Sequence, residues 1–328
     1  MRRLPVTEAP HPRGSDLERL SAGRLLSRLH AGDREAVRAV GRALPSLAGL
    51  SAEVADALRA GGRLIYAGAG TSGRLGALDA AECPPTFGVA PSRVLALVAG
   101  GARALRRAIE GAEDDAAAGR VAVARARVGA RDVVVGVSAS GRTPFVAAAL
   151  AEARRRGART ALVTSNPAAR AAADRRVVLP TGPELVAGST RMKAGTAAKM
   201  ALGLLSTAVF VQLGAVREGR MVALGTTSAK LRDRAVRNVM ALAGLGARPA
   251  RALLDACGWS VREAVERAGE TRATGRGTTG RGARTTGRGN RGTGSGTRAR
   301  AAGSGSGPES AEGRSGCRRR NGRSHRRS

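Results

Sequence analysis

Aromatic side chains make up 2% of this 328-residue chain, with a single Trp and a single Tyr, and lysine occurs only as Lys193, Lys199 and Lys230. The formal charge of +31 therefore rests almost wholly on arginine, which a GC-rich coding bias produces as readily as selection for a polyanion. Cysteine is scarce too: Cys83, Cys257 and Cys317 have no short paired spacing, so they outline no disulfide framework and point to a reducing compartment, the cytoplasm. His11, His30 and His325 are scattered, and with no cysteine pair beside them there is no metal-ligand spacing. The opening MRRLPVTEAPHPRG has arginines but no apolar core after them, so no secretory leader is expected. The most apolar stretch, Met200 to Val216, is interrupted by Ser206, Thr207 and Gln212 and is short for a membrane span, so a buried helix is expected there.

What charge there is collects at one end. From Gly269 to Ser328 the chain has fifteen Arg against three Glu, a surplus of +12, together with sixteen of its forty-six Gly. This segment has no aromatic residue and almost no aliphatic larger than Ala, so it cannot bury enough surface to offset chain entropy, and order is expected to end at Ala268. Single-strand nucleic-acid binders of the Arg/Gly type interleave aromatics for base stacking, and this tail has none. Any nucleic-acid contact through it is expected to be non-specific and salt-sensitive.

Ahead of the tail the apolar pattern sets out the architecture. Two helical segments are expected at the start, Asp16 to His30 and Asp33 to about Leu58, with Leu17, Leu20, Leu25, Leu26 and Leu29 on one face. Five short β-rich runs follow, at 63–67, 93–98, 132–137, 160–164 and 176–180, separated mostly by spacers long enough for a helix. Such alternation predicts an α/β fold, a doubly wound sheet of about five parallel strands covered on both faces. The expected division is an N-terminal helical segment (1–45), the α/β domain (46–240), a short C-terminal helical segment (241–268) and the tail (269–328). In the third of these, helices are expected at 247–257 and 260–268 with Gly258 as the stop between them.

In a doubly wound sheet the ligand sits beyond the C-terminal ends of the strands. The loop after the first strand, Gly68-Ala-Gly-Thr-Ser-Gly-Arg-Leu-Gly76, contains GxGxxG. A dinucleotide site also expects an acidic residue at the end of the next strand, but that strand ends Leu97-Val-Ala-Gly-Gly101. The same Gly-rich turn, with Thr71 and Ser72, suits a phosphate monoester, because backbone N–H groups and the helix dipole favour an anion. The third strand ends Ser138-Ala-Ser-Gly-Arg-Thr143, whose hydroxyls Ser138, Ser140 and Thr143 either cap the next helix or cradle phosphate oxygens. Two hydroxyl- and Gly-rich loops on one sheet converge on one crevice, which favours the phosphate reading.

The runs GGRLIYAGAGTSGRLGALDAAECPPTFGV (61–89), AIEGAEDD (108–115), GVSASGRTPFV (136–146) and GPELVAGSTRMKAGTAAKM (182–200) closely resemble the N-acetylmuramic acid 6-phosphate etherase family. That family has the sugar-isomerase (SIS) fold and is related to the glucokinase regulatory proteins through the GPE…GSTRMK segment. The resemblance covers about Leu17 to Lys230 and implies a cofactor-free lyase that cleaves a D-lactyl ether from a phosphorylated amino sugar, acting as a homodimer. It implies Glu82 as proton donor and Glu113 as the second acid–base residue, although the residues alone do not separate Glu113 from Glu110 or Asp114. Glu82 lies on an apolar segment ending Cys83-Pro-Pro85, where partial burial is expected to raise its pKa. Ser189, Thr190, Arg191 and Lys193 form a polar, cationic loop expected to close over the phosphosugar with Glu184 as a further contact; Ser189 or Thr190 could equally cap the apolar helix that follows. No residue marks itself as the proton shuttle for ring opening.

The chain departs from the family in a shortened helical region between Val239 and Ala247, and in the tail, whose Arg, Gly, Thr and Ser texture matches a GC-rich frame read out of register. A non-catalytic phosphosugar sensor of the same fold is the alternative function. Two acid–base carboxylates favour the enzyme, since binding alone needs neither.

Overall fold

The computed structural model describes residues 5–277, with side chains described to residue 270. Its centre is a five-stranded, all-parallel sheet in the order β2-β1-β3-β4-β5, built from β1 (Leu64–Gly68), β2 (Val94–Val98), β3 (Val133–Val137), β4 (Arg159–Thr164) and β5 (Arg175–Val178). Each strand falls within a residue or two of its expected run. β1 and β3 are buried at every position, as strands covered on both faces must be, and this is why they read as unbroken Val, Ile and Ala rather than alternating runs.

Period-2 alternation divides the side chains between two cores. Leu64, Tyr66, Val133, Val135, Ala161 and Val177 point to one face, where they meet helices α1 (Ala22–Arg59), α2 (Gly70–Phe87) and α5 (Lys193–Gln212). Ile65, Ala67, Val134 and Leu162 point to the other and pack on α3 (Ala116–Arg125) and α4 (Pro144–Arg155). At the N-terminal edge of the sheet, buried Asp132 accepts the backbone N–H of Arg63 (3.0 Å), two bonds from its guanidinium (3.1 and 2.6 Å) and the Gly129 N–H (3.0 Å). Burial would lift the Asp132 pKa, but these donors outweigh it and hold the carboxyl below its ordinary value.

The apolar run read as a buried helix is α5; by length and composition it could cross a membrane, but it is a core helix, with Ala197, Ala201, Leu202, Leu205 and Val209 inside the first cluster. Two expectations are corrected at the start of the chain. The two predicted helices are one 38-residue helix that begins at Ala22, not Asp16, and runs through Gly32 and Pro45. An interior Gly costs only about 1 kcal/mol, and here Gly32 faces the Lys193 side chain, where a Cβ would come within 3.1 Å. The early leucines do not reach the core, and Leu26 is 66% exposed; the buried stripe of α1 is Ala36, Val40, Ala43, Leu47, Leu50, Val54 and Leu58.

After α5 come a hairpin of β6 (Val216–Arg217) and β7 (Arg220–Met221), which the sequence did not announce, and three helices, α6 (Ala229–Ala243), α7 (Ala247–Ala256) and α8 (Val261–Gly277). Val222, Leu224, Val239, Leu254 and Val261 form a separate small core among them. Gly258 has φ +56° and stops α7 as expected. α8 is described as far as Gly277. The rest of the expected tail lies outside the described residues.

Candidate active site

β1 sits between β2 and β3, so the connections after β1 and β3 leave in opposite directions and open a crevice beyond their C-terminal ends. α2 enters this crevice directly from β1. Gly70 holds φ +52°, and a Cβ on Gly73 would stand 2.6 Å from the Gly68 carbonyl oxygen, so glycine is what lets strand and helix meet so closely. No side chain caps the start of α2, which leaves its first N–H groups and the positive end of its dipole for a ligand.

The start of α5 arrives alongside: a Cβ on Gly195 would lie 3.4 Å from Thr71 Cγ2. Ser72, Ala139, Thr164, Ser165, Thr190 and Gly195 line one narrow cavity there. Thus the structure joins four loops, and three of them carry residues expected to bind phosphate. Thr164, Ser165 and Asn166, which follow β4, were missed, although the rule of inspecting the residues after each strand applies to Thr-Ser-Asn as it does to the others. Asn166 Nδ2 donates to the Ser140 carbonyl (2.8 Å) and Thr164 Oγ1 to that of Ala139 (3.2 Å), so the β4 loop buttresses the β3 loop.

Within the β3 loop the hydroxyls are largely engaged with the loop itself. Ser138 is buried; its Oγ shares a hydrogen bond with Thr143 Oγ1 (2.8 Å) and accepts the Gly141 N–H (3.1 Å). Ser140 Oγ accepts the Arg142 N–H (3.2 Å). Their first role is to set the loop in shape, by holding the Gly141 and Arg142 N–H groups within it.

The loop before α5 is divided. Thr190 reaches the crevice, whereas Ser189 and Arg191 line a second cavity toward α1 with Leu29. Lys193 is buried, and its Nζ donates to Glu35 Oε2 on α1 (2.6 Å). Arg13 also binds Glu35 (2.6 Å). Burial would raise the Glu35 pKa, but the Lys193 ammonium and Arg13 outweigh it and hold the carboxyl below its usual value. Glu184 is fully buried and accepts the N–H groups of Lys193 (3.0 Å) and Ala194 (2.9 Å), so it, and neither Ser189 nor Thr190, caps α5. Burial pushes the Glu184 pKa up despite these donors. Lys193 and Glu184, expected to touch the phosphosugar, are engaged in the structure with Glu35 and with the first N–H groups of α5, contacts that hold α1 and the start of α5 in place.

The two candidate carboxylates lie in different cavities. Glu113 stands on the short turn before α3, beside Glu110, and borders the start of α2 at Gly70 and Arg74. Glu82 is twelve residues along α2 from Gly70, an axial distance of about 18 Å at the α-helical rise, in a cavity of about 450 Å³ between α2 and α5 with Lys199 and Thr207. Glu82 is exposed, so the expected burial is corrected. The carboxyl that α2 turns inward is Asp79, one turn earlier, which accepts Tyr66 Oη (2.7 Å) and Ser206 Oγ (2.9 Å). Desolvation raises the Asp79 pKa and pushes the Cys83 thiol up to about 12. Among the described residues no group of three or more His, Cys, Asp or Glu is placed to hold a metal ion.

A family profile described as "Glucokinase regulatory protein N-terminal SIS domain" matches residues 46–154. Among curated proteins, the N-acetylmuramic acid 6-phosphate etherase of Deinococcus radiodurans is 49% identical over 262 residues, covering 79% of this chain and 86% of that protein. Those of Jannaschia sp. (46% identical, 79% of this chain, 83% of that protein) and Trichormus variabilis (47%, 79% and 85%) match over the same length.

Proposed function

This chain belongs to the N-acetylmuramic acid 6-phosphate etherase family, and from that premise we propose how its residues carry the reaction. The enzyme cleaves the D-lactyl ether of N-acetylmuramic acid 6-phosphate and gives N-acetylglucosamine 6-phosphate and D-lactate, as a carbon–oxygen lyase of amino-sugar recycling in the cytoplasm. The observation that carries the reading is the crevice in which the start of α2, capped by no side chain, meets Thr190 and the hydroxyl loops after β3 and β4: the first N–H groups and dipole of α2, with Ser72, Thr190 and Ser165, suit a phosphate dianion.

With the phosphate held there, the C2 proton of the open-chain sugar, acidified by the C1 aldehyde, is removed by Glu113. The C2–H electron pair forms the C2=C3 double bond as the C3–O bond breaks, and Glu82 protonates the departing lactate oxygen. Water then adds across the double bond, its hydroxyl to C3 and a proton to C2. One carboxylate acts as base while the other acts as acid, the separation of roles such a sequence needs.

In a single chain Glu82 lies about 18 Å along α2 from Gly70, and Gly70 lines the cavity that holds Glu113. The working assembly is therefore a homodimer in which Glu82 of one copy completes the site of the other. Supporting this is an apolar face that no part of the described chain covers: Val37 and Leu44 on α1, and Leu204 and Val211 on α5, each pair seven residues apart, are all 47% exposed or more. Leu204 also lines the Glu82 cavity. D-lactate release from N-acetylmuramic acid 6-phosphate tests the activity. Mixing the two inactive variants Glu82→Gln and Glu113→Gln tests the sharing: mixed dimers carry one intact site and regain activity, whereas no recovery after subunit exchange would place both carboxylates in one chain.

A further inference from the structure

A cavity of about 800 Å³ lies outside the site described above, among the C-terminal helices, where the starts of α6 and α7 face Trp259. Its volume is in the range of small-ligand sites, about 300–1,000 Å³. Three guanidinium groups line it, from Arg232, Arg248 and Arg251, against one carboxylate, Asp233, which is paired to Arg237 (2.9 Å). Arg248 and Arg251 have no carboxylate partner among the described residues.

Trp259, the chain's one tryptophan, organises this cluster. The Arg232 and Arg251 guanidinium carbons stand 5.0 and 5.7 Å from its ring centroid. Arg232 Nε donates to the Thr226 carbonyl (3.2 Å), which leaves its terminal nitrogens for an oxyanion; a guanidinium stacked on an indole gives up less freedom on binding one. Trp259 is also held at φ +64°, a conformation that is a genuine outlier for a bulky side chain. Backbone strain of this kind persists where the surroundings over-determine it, and it gathers at ligand clamps. Here the Trp259 backbone N–H donates to the Leu254 carbonyl (2.7 Å) and holds the main chain at this turn.

We propose that this cavity is a second anion site, separate from the etherase crevice, that takes a phosphate monoester with a sugar-sized body. A tetrahedral dianion offers three oxygens to three guanidinium groups, and the indole with Val236 supplies an apolar wall for the C–H face of a sugar. The site shares no lining residue with the etherase crevice and does not depend on the reading of it.

The lone tryptophan makes the test direct. Emission of the full-length chain is followed at low ionic strength during titration with N-acetylglucosamine 6-phosphate, and in parallel with N-acetylglucosamine. A saturable change with the phosphosugar and none with the neutral sugar is expected. Arg248→Gln and Arg251→Gln should each weaken the apparent Kd about tenfold, the loss of one charge-assisted contact, while D-lactate release stays at the parent rate. Arg251→Lys, which keeps the charge and loses the fork, should fall between. An emission that does not change, that changes equally with the neutral sugar, or that titrates with the same Kd in all three variants would overturn the proposal; the last outcome would mean that the etherase crevice alone is being filled.

Discussion

Removing the Glu184 carboxylate tests whether the start of α5 is built as described. Glu184 is fully buried, accepts two N–H groups at 3.0 and 2.9 Å, and among the described residues is the side chain that caps this end of α5. Each charge-assisted bond contributes about 1.5–3 kcal/mol, so losing both would cost about 3–6 kcal/mol. Relief of a buried charge returns part of this, leaving a net loss for Glu184→Ala of about 2–4 kcal/mol. In a chain of this size that is a Tm lower by about 3–7 °C. Glu184→Gln keeps one acceptor, turns an N–H toward the other donor, and should lie about halfway. The pH dependence has a definite sign. The Glu184 pKa is raised by burial above its reference of 4.5, so the folded state holds this proton more tightly than the unfolded chain does. Its contribution to stability is therefore fullest in acid, declines as pH rises from 4.5 through the raised folded value, and is constant above it. The Gln variant lacks this component, so the difference between variant and parent widens toward low pH. Thermal melts followed by far-UV circular dichroism, at pH 7 and across the acid range, measure both. A loss below about 1 kcal/mol in Glu184→Ala would refute the capping argument, since an uncapped, buried helix start cannot be that cheap.

Four further outcomes are expected. Glu82→Gln and Glu113→Gln should each lower the rate of D-lactate release by about 10²-fold or more while phosphosugar binding persists, and only Glu113→Gln should abolish exchange of the C2 proton in deuterated solvent; exchange that continues would move the base to Glu110. Lys193→Met breaks the buried pair with Glu35, which keeps Arg13 and some solvent, so a stability loss of about 1–3 kcal/mol with substrate Kd within twofold is expected; a Kd raised tenfold would return Lys193 to the site. Ser138→Ala should raise KM more than it lowers kcat, because the loop loses the acceptor of the Gly141 N–H; an unchanged KM would remove the β3 loop from phosphate binding. Cys83, buried and with its thiol pushed up to about 12, should resist alkylation at pH 8 in the native protein, as read by peptide mass spectrometry, and react only on unfolding.

The sequence by itself determined the sheet. Five apolar runs rich in Val, Ile and Leu, each closed by Gly, Pro, Ser or Asn, located all five strands, because strands buried on both faces leave an unbroken apolar record that no surface requirement dilutes. The Gly-rich and hydroxyl-rich loops were legible for a related reason: close backbone approach at Gly68 and Gly73, and positive φ at Gly70, tolerate no other residue. What the sequence left undecided were partnerships between distant segments. Lys193 and Glu184 read as ligand contacts because a polar loop before an apolar helix looks alike whether its charges face a substrate or a neighbouring helix; only the packing of α1 on α5 brings Glu35 to Lys193. The burial expected for Glu82 fell to Asp79, because a helix turns 100° per residue and a three-residue offset, in a segment apolar on most sides, is settled by where Tyr66 and Ser206 wait beneath it. The break expected between His30 and Asp33 closed for the same reason. Tertiary contact outweighs a local propensity of about 1 kcal/mol, and no window of sequence contains the side chain that supplies it.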